Sequence, residues 1–173
     1  VAAFAVVLRA GALVAAFLGF LVGLPTLRLR GDYLAIATLG LGEIIRILLI
    51  NLDVVGGARG YAVPKLTNFS WAFWLMVIAV LLMVNFINST HGRACISVRE
   101  DEIAAEAMGI NTTRYKVMAF TLGAFFAGLS GALFAHLFVY ISPQIFGFLR
   151  SIDILVMVVL GGLGSITGSI TAA

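Results

Sequence analysis

The sequence predicts an all-α membrane protein, a polytopic bundle of transmembrane helices with an inverted repeat and broken or re-entrant segments. Three observations carry the class. Hydrophobic residues make up 62% of the 173 residues and charged ones 11%, whereas a soluble domain has about 45–50% and about 25%. Mean hydropathy is +1.12, more apolar surface than one small core could hide. The apolar residues also gather into segments long enough to approach the ~20 residues that cross ~30 Å of hydrocarbon. Lipid offers the backbone no hydrogen bonds, so such segments are helices rather than open strands.

Five segments follow in order, within one transmembrane domain over 1–173. The first spans about 10–24 and is closed by Pro25. The second spans 33–50. The third, 71–87, contains no charge. The fourth spans 117–141 and the fifth 154–173. The chain opens on Val1 and ends within an apolar run, and no signal peptide pattern is visible, so it is expected to be a piece of a longer protein. Small residues recur every fourth position. Gly11, Ala15, Gly19 and Gly23 form one stripe. Gly123, Ala127 and Gly131 form a second, with Ala124, Gly128 and Ala132 beside it. Such stripes let membrane helices approach closely and point to bundle packing rather than to a substrate site.

If all five segments span, the loops alternate in side. Arg28, Arg30, Arg93, Arg99, Arg114 and Lys116 share one side; Arg9, Arg59, Lys65 and Arg150 share the other. The bias places the 88–116 loop in the cytoplasm. Asp32 precedes Leu39-Gly40 by the same spacing that separates Asp153 from Leu160-Gly161, and Arg30 and Arg150 stand just before them. The blocks lie three spans apart, which would make the repeat inverted, as in many transporters. Chance similarity between two apolar stretches is the competing explanation.

Glu43 and Arg46 sit one turn apart in the second segment. A lone charge at mid-membrane costs ~2.5–3.5 kcal/mol on insertion scales, and the spacing lets the two side chains meet. Two readings stand: a translocation-pathway or gating contact, or a structural pair with Arg46 reaching toward the interface. Gly40 and Gly42 precede Glu43 and are expected to interrupt that segment. Gly161, Gly162, Gly164 and Gly168 are expected to break the fifth, with Ser165, Thr167 and Ser169 between them. Each glycine costs ~1 kcal/mol against Ala in a helix, so the clusters imply either close packing or an unwound stretch lining a cavity. Gly40, Gly42, Glu43, Arg46, Gly161, Gly162, Gly164 and Ser165 are the candidate pathway set.

The 88–116 loop holds the densest charge. Ser97 and Glu100 have capping-box spacing, which predicts a short helix from about Val98 to Met108 with Gly109 at its C-cap. Arg99, Glu102 and Glu106 fall near one polar face, and Ile103, Ala107 and Met108 give an apolar edge. Asn111 or Thr112 would cap the next helix. With the acids Glu100, Asp101, Glu102 and Glu106 against one base, the helix suits a protein partner better than a lipid surface, where basic residues usually dominate.

Other chemistry is not expected. No G-x-x-x-x-G-K-[ST] is present. His91 and His136 stand apart from any Cys/His cluster, so no metal or other cofactor is expected. His136 is expected to make an interhelical hydrogen bond. Cys95 is the single cysteine and excludes an intrachain disulfide. No nucleic-acid signature appears.

The runs LRLRGDYLAIATLGLGEIIR, VREDEIAAEAMGINTTRYKVMAF, AFFAGLSGALFAH and LGGLGSITG resemble the permease subunits of bacterial branched-chain amino acid ABC importers, most closely the M-type of the Liv family. The resemblance covers the chain from about residue 20 to the end. It implies a non-enzymatic, multi-pass permease of the bacterial inner membrane. Its implied partners are a second permease subunit in a heterodimer, two cytoplasmic ABC ATPases and a periplasmic or lipid-anchored substrate-binding protein. Such permeases meet their ATPases through a cytoplasmic E-A-A…G loop. Glu106-Ala107-Met108-Gly109 matches it, with Met108 in place of the second Ala. The resemblance thus makes Arg99, Glu100, Asp101, Glu102, Ile103, Glu106, Ala107, Met108 and Gly109 the ATPase-coupling set, and charge reversal at Glu102 and Glu106 is expected to weaken docking. Alternative substrates are urea or short amides. An ion-coupled secondary transporter would tend to carry more intramembrane acids than Glu43, and intramembrane charge argues against a structural scaffold.

Overall fold

The computed structural model describes residues 2–27, 29, 32–52 and 56–173, without the side chains of Ala2, Ala3, Asp32 and Ala35. Arg28 and Arg30, part of the charge bias above, lie outside the described residues, as does the side chain of Asp32. The chain is nearly all helix. Helix α1 runs Ala2–Thr26, α2 Asp32–Asn51, α3 Phe69–Asn88, α4 Thr90–Glu100, α5 Glu102–Ala107, α6 Thr112–Phe138, α7 Phe148–Gly161 and α8 Ile166–Ala172. Two-residue strands, β1 (Tyr61–Ala62) and β2 (Tyr140–Ile141), pair antiparallel with Tyr61 opposite Ile141. Among the described residues, three helices are long and apolar enough to cross a membrane: Phe4–Thr26, Phe69–Asn88 and Thr112–Phe138.

The chain forms two compact units, Val1–Thr38 with Pro64–Val139, and Leu39–Val63 with Tyr140–Ala173. In the first, α1 and α6 pack antiparallel along their length. Small residues make this possible. A Cβ added at Gly11 would stand 3.5 Å from the Ala132 Cβ, and one at Gly128 would stand 2.5 Å from the Ala15 Cβ. One at Gly19 would collide with Ala124, and one at Gly23 would press on Phe120 at 3.2 Å. The first-segment stripe therefore meets Ala124, Gly128 and Ala132; a Cβ at Gly123 or Gly131 meets nothing within 4 Å.

At one end of this pair Asn111 caps α6, its side chain accepting from the Arg114 N–H at 3.0 Å. At the other end the buried His136 packs edge-on against Phe4. Its Nδ1 donates to the Pro64 carbonyl at 3.0 Å, since a carbonyl can only accept. The histidine ties down a loop, where an interhelical bond was expected. Helix α3 turns sharply into α4 at Ser89, whose hydroxyl accepts from the Gly92 N–H at 3.2 Å. A Cβ at Gly92 would lie 2.5 Å from the Ile87 carbonyl oxygen, so only glycine fits there.

The second unit holds most of α2, a 3-10 turn at Gly57–Arg59, the strand pair, a 3-10 turn at Pro143–Phe146, and the α7–α8 hairpin. The Tyr140 hydroxyl donates to the Arg59 carbonyl at 2.6 Å and braces the turn before β1. Two sequence boundaries move. The fourth apolar segment stops being helical at Phe138 and ends as strand β2, because Val139 adopts a left-handed φ of 62°. The fifth begins earlier, at Phe148, and is split. Helix α7 has 14 residues, ~21 Å at ~1.5 Å per residue, short of a ~30 Å span. Gly162 and Gly164 turn the chain at φ 92° and 95° before α8 begins.

Candidate functional site

The expected capping box does not form. The Ser97 hydroxyl instead donates to the Ala94 carbonyl inside α4 at 2.9 Å, and Glu100 ends that helix paired with Arg99. The helix expected over 98–108 is thus two helices that break at Asp101. Asp101 is extended (φ −152°), and its Oδ1 accepts from the N–H groups of Ile103 at 2.9 Å and Ala104 at 3.0 Å. It is the N-cap of α5, a role Asp fills well. Gly109, at φ 81°, ends α5 as expected.

Helix α5 has two faces. Glu102, Ala105 and Glu106, at i, i+3 and i+4, form one. Ala105 is buried. The Glu102 carboxylate pairs with the Lys116 ammonium at 2.6 Å, and the Thr112 hydroxyl donates to Glu106 Oε1 at 2.8 Å. Thr112 and Lys116 are themselves one turn apart on α6. The opposite face carries Ile103 and Met108, 73% and 83% exposed, with Ala104 and Ala107 exposed between them. Ile103 within α5 and Met108 just past its end are thus large apolar side chains left exposed.

The single polar face expected for Arg99, Glu102 and Glu106 is therefore corrected. Arg99 belongs to α4, and the two glutamates bond to α6, Glu102 half-buried and Glu106 still exposed. Lys116 and Thr112 join this site as the α6 partners of the two glutamates. Local spacing cannot reveal them, because their partners lie across a turn in another helix. Asp101, taken from the sequence only as one of the acids, is of a residue type that suits an N-cap.

The candidate pathway residues divide. Arg46 grips the Glu43 carboxylate with Nε, at 2.9 and 3.0 Å to its two oxygens, and with its terminal nitrogen. The pair is intrahelical. Helix α2 runs unbroken through Gly40 and Gly42, so the interruption expected there does not occur. A Cβ at either glycine would meet nothing within 4 Å. The helix does break over Gly161–Ser165, whereas Gly168, also expected to break it, lies inside α8. Ser165 caps α8 by accepting from the Gly168 N–H at 3.1 Å, and a Cβ at Gly161 would lie 2.5 Å from the Gly168 carbonyl. The cluster combines unwinding with close approach. Among the described residues α2 forms no extended interface with α7 or α8, so the structure does not join the two halves of the set into one site.

Comparison with known proteins matches the sequence to a family. The family model described as the permease component of branched-chain amino acid transport systems matches residues 1–173. The chain is 42% identical to the high-affinity branched-chain amino acid transport system permease protein LivM of Salmonella typhimurium and 41% identical to that of Escherichia coli K12. Each match covers 93% of this chain and 46% of the relative. It is 33% identical to the permease protein LivH of Salmonella typhimurium over 68% of this chain and 44% of the relative. The chain thus spans less than half the length of these relatives. No solved structure matches it. With the family model matched along the whole chain, and with helices built to cross a membrane, this chain belongs to the family of branched-chain amino acid transport permease components.

Proposed function

We propose that the chain is part of the permease subunit of an ATP-binding-cassette importer for branched-chain amino acids, set in the bacterial inner membrane as a multi-pass protein. It carries no catalytic role; separate cytoplasmic ATPases supply hydrolysis. A second permease subunit completes the translocation unit, and a substrate-binding protein delivers the amino acid. The family match and the printed function of the LivM and LivH relatives support this reading.

The observation that carries the coupling role is the two-faced α5, which anchors one side to α6 and leaves Ile103 and Met108 outward. That face is the ATPase contact. Apolar anchors at an interface centre typically contribute ~2 kcal/mol or more each when truncated. Ile103→Asp with Met108→Asp is expected to remove the ATPase from the purified complex while the permease still inserts. The Glu43–Arg46 pair and the Gly161–Ser165 turn are assigned to the pathway, because a charge pair and an unwound turn are costly in a membrane without a role.

The deciding experiment is uptake of labelled leucine and labelled urea by the reconstituted full complex. Leucine uptake dependent on ATP is expected. Urea uptake in preference to leucine, or uptake driven by an ion gradient without ATP, overturns the assignment.

A further inference from the structure

We propose that Glu102–Lys116 and Glu106–Thr112 form a two-point latch that makes α5 and the first turns of α6 a single lever, so that movement of the ATPase is delivered to α6. The inference rests on the reading of α5 as the ATPase contact and adds the means of transmission.

Apolar packing alone cannot orient α5. The helix has six residues, and the residue it buries is Ala105, whose methyl group supplies little area. Its start is held by the Asp101 cap, which fixes backbone direction but not rotation about the helix axis. Rotation is set by the two bonds to α6, at 2.6 Å and 2.8 Å. They are spaced one turn apart on both helices and run in opposite order, Glu102 to Lys116 and Glu106 to Thr112. Two separated contacts resist both twisting and hinging, where a single contact would leave a pivot.

The pair is also partly sheltered. The Glu102 and Lys116 side chains are 27% and 22% exposed, so the ion pair is screened less than a surface pair. From Lys116 the same helix continues into the segment packed along α1. Displacement of α5 therefore reaches the membrane-spanning α1–α6 pair through one continuous rod.

The test breaks the latch from the α6 side, leaving Ile103 and Met108 untouched. In the full complex reconstituted in liposomes, Lys116→Met with Thr112→Val is compared with the wild type at matched amounts of bound ATPase. Leucine taken up per ATP hydrolysed should fall ~10-fold, within the range set by coupling between contacting groups. Lys116→Arg, which keeps the ion pair, should retain the wild-type ratio. The exchanged pair Glu102→Lys with Lys116→Glu should recover uptake to within ~2-fold in a Thr112 background. An unchanged uptake ratio in the latch-broken variant overturns the proposal. So does an exchanged pair that binds ATPase normally yet stays uncoupled. Retention of the ATPase by Ile103→Asp with Met108→Asp is a separate result that defeats the docking reading itself.

Discussion

Single residues carry identifiable costs. Val139 holds a φ of 62°, a conformation that crowds a β-branched side chain. Its side chain is partly exposed, so little apolar burial is at stake. Val139→Gly is expected to raise stability by up to ~1 kcal/mol by relieving that strain, read as a higher midpoint of thermal unfolding in detergent. Cys95 lies in α4, outside the span-length helices, with its thiol 3.8 Å from the Tyr115 carbonyl. Burial pushes this thiol above its usual pKa. The folded state therefore favours the neutral form. The contribution is fully present below the ordinary thiol pKa and is lost as pH rises through the raised value. Maleimide labelling of the folded protein near neutral pH is expected to be slower than of an exposed cysteine, because the thiolate is the reactive species. Equal labelling rates would contradict the buried setting of α4 against α6.

At the scale of elements, the decisive fact is which face of α6 meets α1. The sequence offers two adjacent small-residue stripes and no ground for choosing. The structure uses Ala124, Gly128 and Ala132. Gly128→Leu is expected to destabilise the helix pair by ~1–3 kcal/mol, the usual range for overpacking, because its first carbon already collides with Ala15 and the Gly11 carbonyl. Gly123→Ala is expected to be neutral or stabilising by up to ~1 kcal/mol from helix propensity. Thermal unfolding of the two variants side by side distinguishes the faces; equal destabilisation would mean that α1 sits elsewhere. The glycines of the fifth segment behave differently. Gly162 and Gly164 are required by left-handed φ values, and a Cβ at Gly168 cannot be placed against the Gly161 carbonyl. Helical glycines in α2 are under neither constraint, so the two halves of the proposed repeat are locally unlike: Gly40 is mid-helix and Gly161 ends its helix.

At the scale of the whole molecule, the prediction concerns what the Glu43–Arg46 pair does. The bidentate grip neutralises both charges within α2, so the pair can sit in a membrane helix without an outside partner. Glu43→Gln leaves Arg46 unmatched, yet α2 itself has no extended interface to lose among the described residues. Transport by the complex is expected to fall ~10-fold or more, while assembly, measured by recovery of the intact complex, changes less. Equal loss of both would make the pair structural.

Composition and local pattern determined the class of this protein. Hydropathy places helices wherever lipid denies the backbone other partners, and caps such as Asn111 and Gly109 depend only on neighbours within a turn. Local pattern erred in reading Ser97 as the cap where Asp101 takes that role, and in reading glycine as a break in α2. Only the tertiary structure decided that Glu102 and Glu106 bond to α6, that one of two glycine stripes is the interface, and that His136 holds a loop. Each of these depends on a group distant in sequence. A side chain's spacing along its own helix states which neighbours share its face, but not what that face will meet.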